Sequence, residues 1–95
     1  MKANPKYKRY ITTVLLGLRV GNLEKYVDNI CKHPNALCIT LIYKYKKLVV
    51  SFDEDELIMF TVVTPNSRPN VVEAMYYTSI GLAELVQLIK KHLGV

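Results

Sequence analysis

The feature that most restricts the fold is that the strand-like segments are apolar at consecutive positions rather than at alternate ones. Residues 11–18 read ITTVLLGL, residues 36–43 read ALCITLIY, and residues 71–80 read VVEAMYYTSI. A sheet with one face in water alternates apolar and polar residues, because successive side chains point to opposite faces. The segments therefore predict a sheet that needs cover on both of its faces.

The length of the chain limits how that cover can be supplied. With 95 residues there is room for one domain with a single two-layer core. Helices in such a domain cover one sheet face, which leaves the other available for association. The alternative is that the C-terminal helix supplies part of the cover for that second face. We therefore expect a homodimer or a higher homo-oligomer in which sheet packs on sheet.

Two segments have helical periodicity. Apolar residues recur at i, i+3, i+4 and i+7 from Leu23 to Ile30, and Pro34 removes a backbone donor just beyond them. A second apolar stripe runs from Leu82 to Leu93, with cations in its last turn and Gly94 after it. The patterns predict helices over 22–33, opened by Gly21 and Asn22, and over 81–93.

The segment from 53 to 64 is ambiguous. Asp53 and Glu56 have the spacing of a helix N-terminal cap, whereas residues 60–64 (FTVVT) prefer strands. Local signals leave helix and strand nearly balanced there. On either side, the sequence predicts strands over 36–43 and 47–52, joined by a turn without glycine at 44–46, and a loop over 65–70.

The charge distribution has two basic concentrations. The formal net charge is +5, and the excess lies in an N-terminal arm, residues 1–10, and in the turn after the second strand. Basic residues interleaved with tyrosines suit a single-stranded nucleic acid or an anionic ligand, although a solvated basic surface explains them equally well. The candidate nucleic-acid residues are Lys6, Lys8, Arg9, Lys44, Lys46 and Lys47.

Several classes of protein are disfavoured. No apolar run approaches the roughly 20 residues of a membrane span, and no signal-peptide cleavage pattern follows the basic start, so we expect a cytoplasmic protein without a membrane partner. Neither histidine has a plausible catalytic relay, and the acids at 53–56 suit capping, so we expect no enzyme and no cofactor. Four residues have the side chains of a zinc site, but their spacing in the sequence fits no known zinc motif. We therefore expect two thiols and no metal. The four residues are Cys31, His33, Cys38 and His92.

The order of elements and four motifs resemble the effector-binding domain of Lrp/AsnC-type transcriptional regulators, a relative of the ACT domains. The motifs are LGLRVGNLEK at 16–25, HPNA at 33–36, LVVSFDEDEL at 48–57 and NVVEAMYYT at 70–78. The resemblance covers residues 11–80. It implies an α+β fold, a ferredoxin-like βαββαβ two-layer sandwich with a four-stranded antiparallel sheet and a helix at 53–64. Residues 81–95 would add a C-terminal helix.

Two departures from the family change what the resemblance implies. The usual Gly-x-x-Asp turn is replaced by Lys44-Tyr45-Lys46-Lys47, whose cations would repel an amino-acid ammonium group and leave an anionic ligand or none. The short segment before residue 11 cannot hold a helix-turn-helix. The resemblance thus implies a stand-alone module that assembles with a full-length regulator. The implied effector-binding residues are Gly21, Tyr43, Lys44, Tyr45, Lys47, Tyr77 and Thr78.

Two functions follow as hypotheses. The first is a small regulatory or assembly module that homo-oligomerises through its sheet, binds a small effector at the subunit interface and modulates transcription regulators. The alternative is a nucleic-acid-binding ferredoxin-like module that uses the basic arm and the hairpin from Lys44 to Lys47.

Overall fold

The computed structural model describes residues 5–33, 36–53 and 55–95. Its five strands form one antiparallel sheet in the order β1-β2-β3-β4-β5, with each strand beside its neighbours in sequence. Both α-helices lie outside this run of strands, one before it and one after it. The predicted four-stranded βαββαβ sandwich is therefore wrong. The elements are α1 (Pro5–Val20), β1 (Val27–His33), β2 (Ala36–Tyr43), β3 (Lys46–Asp53), β4 (Leu57–Val63), β5 (Asn70–Tyr76) and α2 (Leu82–Leu93), with 3₁₀ turns at Glu24–Tyr26 and Tyr77–Ser79.

Residues 11–18, predicted as a strand, belong to helix α1. The hydroxyl groups of Thr12 and Thr13 donate hydrogen bonds to carbonyl oxygens one turn back, at 3.1 and 3.0 Å, so these β-branched residues are satisfied within the helix. Helical spacing of the apolar residues outweighs their intrinsic strand preference, because it buries one side of the helix. That side consists of Ile11, Val14, Leu15 and Leu18.

The turn at residues 21–23 ends α1 instead of opening a second helix. Asn22 has a left-handed φ of 59°. The N–H of Leu23 donates to the carbonyl of Leu18 at 2.8 Å, and both leucines are buried. This is a Schellman C-cap with its usual hydrophobic contact. The predicted helix over 22–33 is wrong, since residues 27–33 pair with β2 as an edge strand; Pro34, predicted to stop that helix, and Asn35 lie outside the described residues.

The helix expected at 53–64 is also wrong. Residues 57–63 form β4, with Phe60 opposite Val50 of β3 and opposite Glu73 of β5. Asp53 caps a turn instead of a helix, because its Oδ1 accepts the N–H groups of Asp55 and Leu57 at 2.9 and 3.0 Å. Pairing of β4 with a strand on each side thus decides the conformation of a segment for which local signals left helix and strand nearly balanced.

Other predicted elements are confirmed. Strand β2 has the predicted bounds, β3 extends the predicted 47–52 by one residue at each end, and α2 ends at Gly94 with a φ of 92°. The two-residue turn between β2 and β3 forms without a glycine, because Lys44 itself adopts the left-handed φ of 56°. The strand-like segment 71–80 is a shorter strand in the structure, β5, because a 3₁₀ turn begins at Tyr77. Residues 5–10 of the predicted arm are helical, and residues 1–4 lie outside the described residues.

Both helices pack on the same face of the sheet. They approach each other closely at Gly17 and Gly21, where a Cβ would lie 2.8 Å from a Leu82 methyl group and 2.7 Å from a Val86 methyl group. Alternate residues of the three middle strands point to the helix side of the sheet and form part of the core. Those residues are Leu37, Ile39, Leu41, Leu48, Val50, Phe52, Ile58 and Phe60. No helix in the described parts of the chain has the length and apolar character needed to cross a membrane.

Candidate functional site: an open sheet face

The second face of the sheet, here called the open face, is not covered by either helix. Its side chains alternate along each strand with the buried ones, and all of them are partly or fully exposed where the structure describes them. The face is therefore available to a partner. Its members include Asn29 and Cys31 of β1, Cys38, Thr40 and Ile42 of β2, Lys47, Val49, Ser51 and Asp53 of β3, Met59, Thr61 and Val63 of β4, and Val71, Ala74 and Tyr76 of β5.

The middle of the open face is uncharged. Two neighbouring rows of side chains cross all five strands, and neither row contains an ionisable acid or base other than a thiol. The side chains are small or of medium size, and larger apolar residues lie near the margins of the face. One row is Asn29, Thr40, Val49, Thr61 and Val71, and the other is Cys31, Cys38, Ser51, Met59 and Ala74.

Three of the large apolar side chains that remain exposed belong to this face. Ile42 is 38% exposed, Val71 is 50% exposed and Tyr76 is 56% exposed. Together with the uncharged centre, these side chains make the open face a candidate interaction surface. The sequence alone missed Val49 and Met59 as members of it, although their alternation with Val50 and Phe60 was the available signal.

The two ends of the open face carry opposite charges. Lys47 and Asp53 are the charged side chains that β2 and β3 place on this face, and both belong to β3, the middle strand. The turn beyond each of these residues carries further side chains of the same charge. We define the basic end as Lys44, Lys46 and Lys47, and the acidic end as Asp53, Asp55 and Glu56. Glu54 lies outside the described residues.

The residues predicted to bind an effector lie in three separate places. Tyr43, Lys44 and Tyr45 line a cleft of about 340 Å³ against the C-terminal end of α2. Lys47 stands beside that cleft on the open face. Gly21 lies against Val86 in the contact between the helices. The third place, at the opposite end of the sheet, holds Tyr77 and Thr78 in a 3₁₀ turn.

The residues predicted to bind nucleic acid are divided as well. At the basic end, Lys44 Nζ lies 5.3 Å from the centre of the Tyr43 ring, which meets Tyr26 edge to face at 5.3 Å, and Tyr45 is 84% exposed. Lys6, Lys8 and Arg9 belong to the first turns of α1. The charge of Arg9 acts on Tyr77, so this part of α1 lies toward the acidic end. Arg9 and the basic end therefore lie toward opposite ends of the sheet.

Of the residues considered for zinc, the two cysteines and His92 lie on opposite sides of the sheet. Cys31 and Cys38 face each other across β1 and β2 on the open face. His92 lies on the helix side, where its Nε2 is 3.2 Å from Glu73 Oε1. The His33 side chain is not among those described. Within the described ranges, no group of three or more candidate ligands is close enough to hold a metal ion.

A hydrogen bond fixes Tyr77 to the acidic end. Its phenol donates to Glu56 Oε1 at 2.9 Å, and its N–H donates to the Glu56 carbonyl at 2.9 Å. The side-chain hydrogen bond to Glu56 raises the pKa of Tyr77 above the usual value of about 10, aided by desolvation and by the negative charge of Glu56. The Glu56 carboxylate favours the protonated form of the Tyr77 phenol. Removal of that carboxylate would therefore make the phenol more acidic.

We therefore expect Glu56→Gln to lower the pKa of Tyr77. Because the pKa is raised in the folded state, the protonated phenol stabilises the fold below pH 10, and this contribution disappears as pH rises through the folded pKa. The titration of tyrosinate absorbance, compared with that of Tyr77→Phe to isolate the one phenol, measures the change. An unaltered Tyr77 titration in Glu56→Gln would show that Glu56 is not the cause.

The resemblance to Lrp/AsnC effector-binding domains stays a prediction, although the topology it implied does not occur. No family model matches this chain, and comparisons with curated proteins and with solved structures found no match either.

Proposed function

We propose that the protein is an assembly module whose open face packs against the open face of a second copy. The observation that carries the proposal is that both helices cover one side of a five-stranded sheet, while the other side is uncharged across its centre. A second copy offers the same surface, and two such faces can pack about 10 Å apart in the manner of a β-sandwich.

The size of the face supports a homodimer. Five strands about 4.8 Å apart, each about seven residues long with a rise of about 3.3 Å, give a projected area of about 500 Å². Side-chain relief makes the accessible area larger than the projection. A stable interface buries about 800 Å² on each partner, so the open face approaches the area needed.

The proposal retains the assembly half of the function inferred from sequence. Association through the open face depends on the uncovered sheet and does not depend on a ferredoxin-like topology. An effector at the subunit interface and a full-length regulator as partner rest on the family resemblance, and the nucleic-acid hypothesis rests on the basic end. The effector, the regulator and the nucleic acid remain predictions, whereas assembly can be tested by substitutions on the open face.

The test is the solution mass over a range of concentrations. We expect sedimentation equilibrium to give a mass approaching twice the 10.9 kDa of one chain at high micromolar concentration. Val49→Lys should weaken the dimer about a hundredfold or more, because it buries an unpaired charge at the centre of the face. Val20→Lys is the matched control, since Val20 is 75% exposed on α1 and lies away from the open face.

The native thiols give a second readout that needs no substitution. Cys31 and Cys38 both belong to the open face, so their alkylation by iodoacetamide should slow as the protein concentration rises. Circular dichroism establishes that both lysine variants are folded. A wild-type mass of one chain at every concentration would refute the proposal, and so would a Val49→Lys variant that associates as tightly as Val20→Lys.

A further inference from the structure

We infer that the two copies pack with their central strands reversed, so that Lys47 of each copy faces Asp53 of the other. This inference rests on the proposed assembly and adds the orientation of the partner. It identifies the interaction surface as self-complementary in charge as well as in shape. The charged pair marks the two ends of a single strand, and each dimer would contain the pair twice.

Symmetry restricts the choice of orientation. A dimer of two faces has its two-fold axis in the plane between the sheets, and the same surface patch is used by both copies. If the axis runs along the strands, the strand direction is kept and Lys47 faces Lys47 of the second copy. If the axis runs across the strands, the direction is reversed and Lys47 faces Asp53. Because β3 is the middle of five strands, it lies over itself in both cases.

The charges distinguish these two orientations. In the first, two ammonium groups meet at one end of the interface and two carboxylates at the other. Like charges brought together in a partly desolvated interface repel, and the cross-strand neighbours of Lys47, which are Ile42 and Val63, carry no charge to compensate them. In the second, each charge meets its opposite. The reversed orientation is therefore the one that the open face favours.

The turns beyond the strand favour the same orientation. Reversal brings the basic end of each copy, with Lys44 and Lys46, toward the acidic end of the other, with Asp55 and Glu56. The chain as a whole has a formal net charge of +5, so two copies repel at long range. Alignment of opposite ends reduces that repulsion locally and steers the encounter toward the reversed arrangement.

The register of β3 allows the contact. Lys47 and Asp53 lie three residues on either side of Val50, about 10 Å from an axis that crosses the strand there. An angle of about 30° between the packed sheets displaces the two groups sideways by about 5 Å. The flexible four-carbon stem of lysine spans that displacement. The carboxylate is already fixed, because Asp53 Oδ1 accepts two backbone N–H groups.

The test is a charge reversal followed by a rescue, measured by sedimentation equilibrium. Lys47→Glu places a carboxylate opposite Asp53 at both ends, and we expect it to weaken the dimer at least tenfold. Adding Asp53→Asn to that variant should restore most of the affinity, because the amide removes the repulsion and keeps the Oδ1 acceptor that caps the turn. Lys91→Glu is the control for net charge, since Lys91 is exposed on α2.

The outcomes separate the orientation from the assembly itself. A wild-type dimer that Val49→Lys disrupts and Lys47→Glu leaves unchanged would overturn the reversed orientation and keep the assembly. A Lys47→Glu variant that is weakened and then not rescued by Asp53→Asn would overturn the pairing of these two residues. A monomeric wild type would overturn the assembly, and the orientation with it.

Discussion

Replacing Phe60 with alanine should lower the free energy of unfolding by about 3–5 kcal/mol. Phe60 is fully buried on the helix side of β4, between Val50 and Glu73 in the ladder, and its ring meets His92 of α2 edge to face at 5.9 Å. Truncation removes the aromatic ring and leaves a cavity under α2 that neighbouring strands cannot collapse to fill. Urea unfolding of the monomer, at high dilution, measures the loss.

The neighbouring residue provides the control. Met59 belongs to the same strand but to the open face, and it is only partly buried. Met59→Ala should change the stability of the monomer by about 1 kcal/mol or less, and should weaken the dimer instead. Equal losses of monomer stability in the two variants would contradict the alternation of faces along β4. Comparison of the two variants thus separates effects on the stability of the monomer from effects on the affinity of the dimer.

Parts of the fold could be predicted from the sequence because local and tertiary preferences agree there. Strands β2 and β3 are rich in β-branched and apolar residues, and they pair with each other across a two-residue turn. Helix α2 has a wide apolar stripe, and Gly94 ends it in a left-handed conformation that other residues adopt only at a cost. In these elements each level of structure favours the same answer.

The remaining elements could not be assigned because their local signals conflict. Residues 11–18 combine strand propensity with helical spacing, and the helix is favoured only once the sheet is present to cover its apolar side. The pair Gly21 and Asn22 suits either end of a helix. In residues 53–64 the spacing of a helix cap and the strand preference of residues 60–64 were nearly balanced, the resemblance favoured a helix, and the ladder partners of β4 lie elsewhere in the chain. Non-local pairing decides such segments.

The sequence predicted association through one face of the sheet, but it did not identify the residues of that face. Consecutive apolar residues in the strands predicted a sheet with two apolar faces, and association through one of them remains the proposal. Which face is open depends on where the helices pack, and the wrong positions of two helices concealed it. Asp53 was interpreted as a helix cap, so its relation to Lys47 on one strand could not emerge before β4 was known to be a strand.

Replacing Leu18 with alanine should also destabilise the monomer strongly, by about 2.5–5 kcal/mol. Leu18 is 2% exposed, and its carbonyl accepts the N–H of Leu23 in the cap that ends α1. The leucine side chain holds the helix against the sheet and contacts the second leucine of the cap. Its loss would leave a cavity at the point where the helix meets the turn.

Leu16→Ala is the matched control and tests the conformation of this segment directly. In a strand, residues 16 and 18 would share a face, and the two substitutions would have similar effects. In the helix they lie about 200° apart, and Leu16 is 54% exposed, so its truncation should cost about 0.5 kcal/mol or less. Urea unfolding of both variants at the same dilution measures the difference. Similar losses would contradict a helix here, whereas a gap of about 2 kcal/mol or more follows from it because only Leu18 faces the core.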